Sequence, residues 1–127
     1  NANGLPDDDH YTTVYDMYLI FQEAVKSQAF VDIIKTKSID VTYQDANGND
    51  VNKTWNNTNH YLTGETEAPE GITVIGGKTG TTNAAGYCLV LYSNNIKGED
   101  IISIVYKSDG RSNMYLLMNQ ILSTFAN

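Results

Sequence analysis

Cysteine, basic residues and long apolar runs are all scarce in this chain of 127 residues. The one cysteine, Cys88, can form no disulfide within the chain. No apolar run approaches the ~20 residues that a membrane-spanning helix needs. Eight lysines and arginines stand against 15 aspartates and glutamates, a net charge of −7, and the basic residues form no cluster. The sequence therefore argues against nucleic-acid binding and against electrostatic attachment to anionic lipid.

The apolar pattern predicts one domain of the α+β class, in which antiparallel strands are flanked by helices. Apolar residues recur at helical spacing, as at Val14, Tyr18 and Phe21, and helices are predicted over residues 13–26, 29–34 and 112–125. Alternating or β-branched runs predict strands over residues 38–45, 50–55, 73–78, 87–93 and 101–107. The order of these elements places helices before and after the strands.

Local signals refine two of these elements. Thr13 is suited to cap the first helix, with Asp16 three residues later. Asn47-Gly48 predicts a hairpin turn in which both residues have positive φ. The segment 94–98 has the length of a second hairpin connection, so Ser93-Asn94-Asn95 is interpreted as turn chemistry.

The remaining polar clusters predict no metal site and no cofactor. The run 45–50 resembles the start of a calcium loop, but Asn56 stands where the distal glutamate would be. Asp7-Asp8-Asp9-His10 is interpreted as a set of solvated loop side chains, and His60 has no partner at ligand spacing. Cys88 lies in an apolar run and is predicted to be a buried, unreactive thiol.

Lys78-Thr79-Gly80 is the segment with the most chemistry to offer. It follows a β-branched run and two glycines, and is predicted to lie at the end of a strand. The lysine supplies a cation, the threonine supplies a hydroxyl that can bind a carboxylate, and the glycine lets another backbone approach closely. These groups suit a site that binds a peptide and polarises a nucleophile.

The surrounding sequence resembles the low-molecular-weight D-alanyl-D-alanine carboxypeptidases, a family of penicillin-recognising serine enzymes. The strongest match is Gly76-Gly77-Lys78-Thr79-Gly80-Thr81-Thr82-Asn83-Ala84-Ala85-Gly86. Three further matches occur in the family's order: Gly4-Leu5-Pro6 with the acidic run after it, Trp55-Asn56-Asn57-Thr58-Asn59, and Gly110-Arg111. The resemblance implies a transpeptidase/β-lactamase-like fold. It also implies that residues 1–127 are the C-terminal portion of one catalytic domain, so that the three strands of the second half belong to a larger sheet.

The resemblance also assigns roles to residues. Lys78 and the backbone N–H of Thr81 are implied to be catalytic, the first beside the nucleophile and the second in the oxyanion hole. Thr79, Gly80 and Arg111 are implied to bind substrate, either a peptidoglycan stem peptide or a β-lactam. No serine in the chain has a lysine three residues later, so the Ser-x-x-Lys nucleophile is expected on the missing N-terminal half, and this chain alone is expected to be inactive.

Two other functions stay open at this point. A β-lactamase would also use Lys-Thr-Gly, although Glu65, Glu67 and Glu70 lie too close before the strand to serve as its deacylating base. A non-catalytic binding module of the same fold is the other alternative. The resemblance implies an extracytoplasmic location in the bacterial envelope, with any membrane contact made through segments outside this chain. No nucleic-acid partner is expected.

Overall fold

A computed structural model describes residues 1–125. Its elements, in chain order, are α1 (Val14–Ala24), α2 (Gln28–Lys35), β1 (Ser38–Gln44), β2 (Asp50–Asn56), α3 (His60–Thr63), β3 (Thr73–Thr82), β4 (Gly86–Asn94), β5 (Asp100–Ser108) and α4 (Arg111–Phe125). The α+β class and the order of the predicted elements are confirmed. The short helix α3 was not predicted, because a single turn leaves no apolar periodicity in the sequence.

The cap predicted at the start of α1 is confirmed. The Thr13 hydroxyl oxygen accepts from the backbone N–H of Asp16 at 3.0 Å and lies 2.9 Å from the Asp16 carboxylate. This cap satisfies one of the helix's first backbone donors. The helix ends at Ala24, two residues earlier than predicted, and α2 follows after a short connection.

The strands form two separate antiparallel sheets. A two-stranded ribbon pairs β1 with β2, and a three-stranded sheet has the order β3-β4-β5. Both hairpin connections are confirmed, but the predicted φ of Asn47 is wrong. Gly48 has φ 81° whereas Asn47 is not in the left-handed region. The loop is longer than a two-residue turn, because Asp45 N–H closes it onto the Asn49 carbonyl, and it needs only one left-handed residue.

The Asp45 side chain accepts hydrogen bonds within this turn. Its carboxylate accepts from the backbone N–H groups of Asn47 and Asn49 at 2.8 and 2.9 Å. Hydrogen bonds from Asn49 have the largest effect, and those from Asn47 and Gly48 a smaller one; together they hold the pKa of the Asp45 carboxyl below its usual range. The resemblance to a calcium loop is therefore explained by a hydrogen-bonded turn.

Side chains alternate between the two faces of the three-stranded sheet, and helices pack on both faces. One face carries Leu89, Leu91 and Val105, which pack against α4. The opposite face carries Val90, which packs against Phe21 of α1 and Ile34 of α2. Apolar side chains nevertheless remain exposed on the outer surface of α1 and on the β1–β2 ribbon: Tyr15, Leu19, Ile20, Ile39 and Trp55. Within residues 1–125, no helix has both the length and the hydropathy to cross a bilayer.

Cys88 lies in β4 and is half-buried rather than buried, so the prediction of a buried thiol is wrong. Its cross-strand partner is Gly80, which has no side chain to cover it. The neighbouring Leu89, on the opposite face, is 1% exposed.

Candidate active site

The Lys78-Thr79-Gly80 segment lies within β3, not at its end as predicted. Strand pairing continues through Gly80 opposite Cys88 and Thr81 opposite Tyr87, and ends at Thr82 opposite Gly86. Glycine disfavours strands, which is why the sequence pattern ended this strand too early. Within residues 1–125, β3 is bonded to β4 alone. Its other edge therefore offers unpaired backbone groups beside the Lys-Thr-Gly segment.

Lys78 and Thr79 present their side chains to opposite faces of the sheet. Lys78 pairs with Val90 on the face of α1 and α2, whereas Thr79 pairs with Leu89 on the face of α4. The Lys78 side chain is exposed, and its ammonium group donates to the carbonyl oxygen of Thr79. Among the described residues it forms no ion pair with a carboxylate. Its charge is thus not neutralised within this part of the chain.

Thr79 is held by a turn that comes from another part of the chain. Its hydroxyl oxygen lies 2.5 Å from the hydroxyl oxygen of Thr58. Asn57 and Asn59 stabilise this turn. The Asn57 side-chain oxygen accepts from Asn59 N–H at 2.9 Å, and its NH₂ group donates to the Thr36 carbonyl at 2.9 Å. Sequence reasoning did not single out Thr58, since nothing local distinguishes it from a turn threonine.

Asn59 anchors the same turn beneath β3. It is fully buried, and its side-chain oxygen caps α3 by accepting from Tyr61 N–H at 3.2 Å. A Cβ added to Gly77 would lie 3.3 Å from the Asn59 amide nitrogen and 2.4 Å from the Val90 carbonyl oxygen. Glycine at position 77 is therefore what allows β3 to lie directly against this turn and against β4.

Gly80 and Thr81 are exposed at the distal part of β3. A Cβ built on Gly80 would have no atom within 4 Å. Because side chains stand out from the face of a sheet, this face is open at Gly80, next to the free edge of β3. Thr82 closes the following turn, because its hydroxyl oxygen accepts from Ala85 N–H at 3.0 Å.

Arg111, the sole arginine of the chain, is the first residue of α4. The pairs Thr81–Tyr87 and Tyr87–Ser108 form one row across the sheet, so α4 begins at the end of the sheet where Thr81 lies. A cation at a helix N-terminus is electrostatically unfavourable. Arg111 thus gives the helix no electrostatic stabilisation.

Arg111 lines a cavity of about 310 Å³, which sequence reasoning did not predict. The other residues that line this cavity are His60, Glu65, Thr66, Ser112, Tyr115, Leu116 and Asn119. His60 lies 2.8 Å from the Glu65 carboxylate, and its ring stacks on Tyr115 with a centroid distance of 4.8 Å. His60 thus contacts both Glu65 and Tyr115. Its backbone N–H also donates to the Tyr115 hydroxyl oxygen at 2.9 Å.

Of two tyrosines near this cavity, the buried Tyr115 lies in its wall, and the half-buried Tyr61 packs edge-on against Tyr115 with a centroid distance of 5.2 Å. Burial raises the pKa of the Tyr115 hydroxyl, against a smaller lowering effect of the His60 N–H bond and the Arg111 charge. Burial likewise raises the pKa of Tyr61, whose hydroxyl donates to Asn119 at 2.7 Å. Both phenols therefore stay protonated at neutral pH.

The described residues thus bring the predicted site residues together in two groups. Lys78, Thr79, Gly80 and Thr81 lie on one strand with Thr58 beside them, whereas Arg111 lies across the sheet at the same end. Ser93, on the α4 face, is fully buried, and Asn95 instead holds the turn that follows. The prediction of turn chemistry is therefore confirmed for Asn95, whereas Ser93 and Asn94 are the last two residues of β4.

Comparisons with known proteins bear on the family and the fold of this chain. A sequence profile described as D-alanyl-D-alanine carboxypeptidase matches residues 1–110. Two point mutants of the Streptomyces K15 DD-transpeptidase superpose with TM-scores of 0.80 and 0.78, each at 28% identity, over 95% and 93% of this chain. The D-alanyl-D-alanine carboxypeptidase of Mycobacterium tuberculosis H37Rv superposes over 98% of the chain with a TM-score of 0.70; at 21% identity, this supports the fold alone. No match was found among curated proteins.

The chain covers 45%, 44% and 45% of these three structures, a little under half of each. The expected fold is confirmed, since the structural neighbours include a DD-transpeptidase and a D-alanyl-D-alanine carboxypeptidase. The profile matches well over half of the chain. This protein chain therefore belongs to the D-alanyl-D-alanine carboxypeptidase family, and its fold is that of the penicillin-recognising serine enzymes.

Proposed function

We propose that this chain forms the substrate-binding part of a serine-type D-Ala-D-Ala carboxypeptidase, which removes the terminal D-alanine of peptidoglycan stem peptides and is acylated by penicillin. The observation that carries the proposal is the open edge of β3, with an unneutralised Lys78 and an uncovered Gly80 beside it. The Ser-x-x-Lys nucleophile lies on the N-terminal half of the same domain, outside this chain. The enzyme acts outside the cytoplasm, where its substrate is.

The reaction needs a nucleophile, a positioned cation, an oxyanion hole and a carboxylate clamp. A peptide ending in D-Ala-D-Ala adds as a further strand along β3, because the edge offers backbone partners and Gly80 leaves room. The serine oxygen loses its proton and bonds to the carbonyl carbon of the penultimate residue, the C–N bond breaks, and D-alanine leaves after that proton is delivered to its nitrogen. Water then hydrolyses the ester.

Each site residue has a distinct task in this scheme. Lys78 places its cation near the serine and lowers the cost of moving its proton. Thr81 donates its backbone N–H to the oxyanion as charge develops on the carbonyl oxygen. Thr79 and Arg111 bind the terminal carboxylate of the substrate, the first through its hydroxyl and the second through a charge-assisted fork.

Transpeptidation is the second candidate activity, supported by the 28% identity to the Streptomyces K15 DD-transpeptidase. Both reactions share the same acyl-enzyme and differ only in whether water or an amine attacks it. Hydrolysis of β-lactams, in contrast, gains no support, because the Glu65 carboxylate is bound to His60 and lies beside Arg111.

The proposal is tested by the release of D-alanine from a peptide ending in D-Ala-D-Ala, using the full-length protein and a peptide ending in D-Ala-L-Ala as control.

In the same assay Arg111→Ala should raise KM roughly tenfold or more, the effect of losing a hydrogen-bonded ion pair to substrate. Its unfolding free energy should change by less than about 0.5 kcal/mol, because the side chain is exposed. A fall in stability that parallels the loss of activity would instead make Arg111 structural.

A further inference from the structure

The hydroxyl pair of Thr58 and Thr79 couples the turn before α3 to the Lys-Thr-Gly strand. The two oxygens are 2.5 Å apart, and either could be the donor. Among residues 1–125, neither side-chain oxygen has another hydrogen-bond partner. Thr58 is therefore the group that decides how the Thr79 hydroxyl is oriented before substrate arrives.

The chemistry of a carboxylate fixes the direction of this hydrogen bond during binding. An ionised carboxylate only accepts hydrogen bonds, so Thr79 must use its one proton to bind it. The Thr79 oxygen can then still accept, and Thr58 is the adjacent donor. We propose that Thr58 is a positioning residue whose hydroxyl donates to Thr79 and directs the Thr79 proton toward the substrate carboxylate. This inference rests on the proposed function.

Thr58 is exposed in the segment before α3, but the residues on either side of it fix its position. Asn57 on one side is bound to the Thr36 carbonyl, and Asn59 on the other side is fully buried under Gly77. The turn cannot shift without disturbing both anchors. A donor held in this way strengthens the hydrogen bond from Thr79 to the carboxylate, because successive hydroxyl hydrogen bonds polarise each other.

Acylation rates of the full-length protein test the inference with two ligands, benzylpenicillin and its methyl ester, in which the carboxylate is blocked. Thr58→Val removes the donor but keeps the shape. It should slow acylation by benzylpenicillin about tenfold, the order expected for weakening one hydrogen bond to an anion. Acylation by the methyl ester should change less than about twofold, since the ester offers Thr79 no anion. Thr58→Ser restores the hydroxyl and should recover most of the rate.

Thr54→Val is the matched control, because Thr54 is an exposed threonine on β2 whose hydroxyl donates to Asp40. It should leave both acylation rates unchanged. The role of Thr58 would be overturned, and the proposed function left standing, by any of three results. These are an unchanged benzylpenicillin rate in Thr58→Val, an equal slowing with both ligands, or no rescue by Thr58→Ser. Absence of acylation in the unmodified protein would overturn the proposed function, and this inference with it.

Discussion

Replacing Lys78 by alanine should slow acylation by penicillin about a hundredfold or more. The site depends on a cation that assists proton transfer from the serine, and groups of this kind contribute roughly 10²–10⁴-fold to rate. Lys78 fits this role because it is exposed beside the open edge of β3 and no carboxylate within residues 1–125 neutralises it. The measurement is the second-order rate of covalent labelling of the full-length protein by a fluorescent penicillin.

Lys53→Ala is the control for this experiment, since Lys53 is an exposed lysine on the β1–β2 ribbon. It should label at the rate of the unmodified protein. Both variants should keep their unfolding free energy within about 0.5 kcal/mol, as exposed side chains usually do. Labelling of Lys78→Ala at the normal rate would remove Lys78 from the mechanism.

Gly77→Ala should destabilise the protein by about 3 kcal/mol, the upper part of the usual range for overpacking a core. Its new methyl carbon would lie 2.4 Å from the Val90 carbonyl oxygen and 3.2 Å from a Leu91 side-chain carbon. Backbone atoms cannot rotate away, so β3 and β4 would have to separate. The shift in the urea midpoint of the full-length protein, at constant m-value, measures this cost.

Gly80→Ala, on the same strand, should behave in the opposite way. Its methyl group would have no atom within 4 Å, so stability should change by less than about 0.5 kcal/mol. The methyl group would, however, project from the sheet face beside the edge proposed to bind the substrate backbone, and acylation should slow. A loss of stability in Gly80→Ala equal to that in Gly77→Ala would mean that the distal half of β3 is packed rather than open.

Local signals in the sequence predicted most of the fold. Thr13 caps α1 through atoms of its own segment, and the hairpin at Gly48 depends on residues that are close in sequence. Such features can be predicted without knowledge of the tertiary structure. The errors also have local causes: Gly80 suggested a strand end although pairing with β4 continues, and Cys88 lies in an apolar run yet faces a glycine across the ladder.

The candidate site could be predicted only in part. Lys78, Thr79 and Gly80 are adjacent in sequence, so the motif and the family resemblance revealed them together. Thr58 is 21 residues from Thr79, and Tyr115 lies 55 residues from His60. These contacts depend on how α3 and α4 pack against the sheet, which no spacing in the sequence encodes. The relation of Arg111 to the cavity beside His60 was hidden for the same reason.

Intact mass after incubation with benzylpenicillin tests the division of the site most directly. The measurement uses this chain, the N-terminal half of the domain, and the two together once their assembly has been verified. We predict a penicilloyl adduct in the assembled protein alone, on the serine of the N-terminal half, and its loss on replacement of Lys78 by alanine. An adduct on this chain by itself, or none in the verified assembly, would contradict the proposal that this chain completes a serine acyl-transfer site.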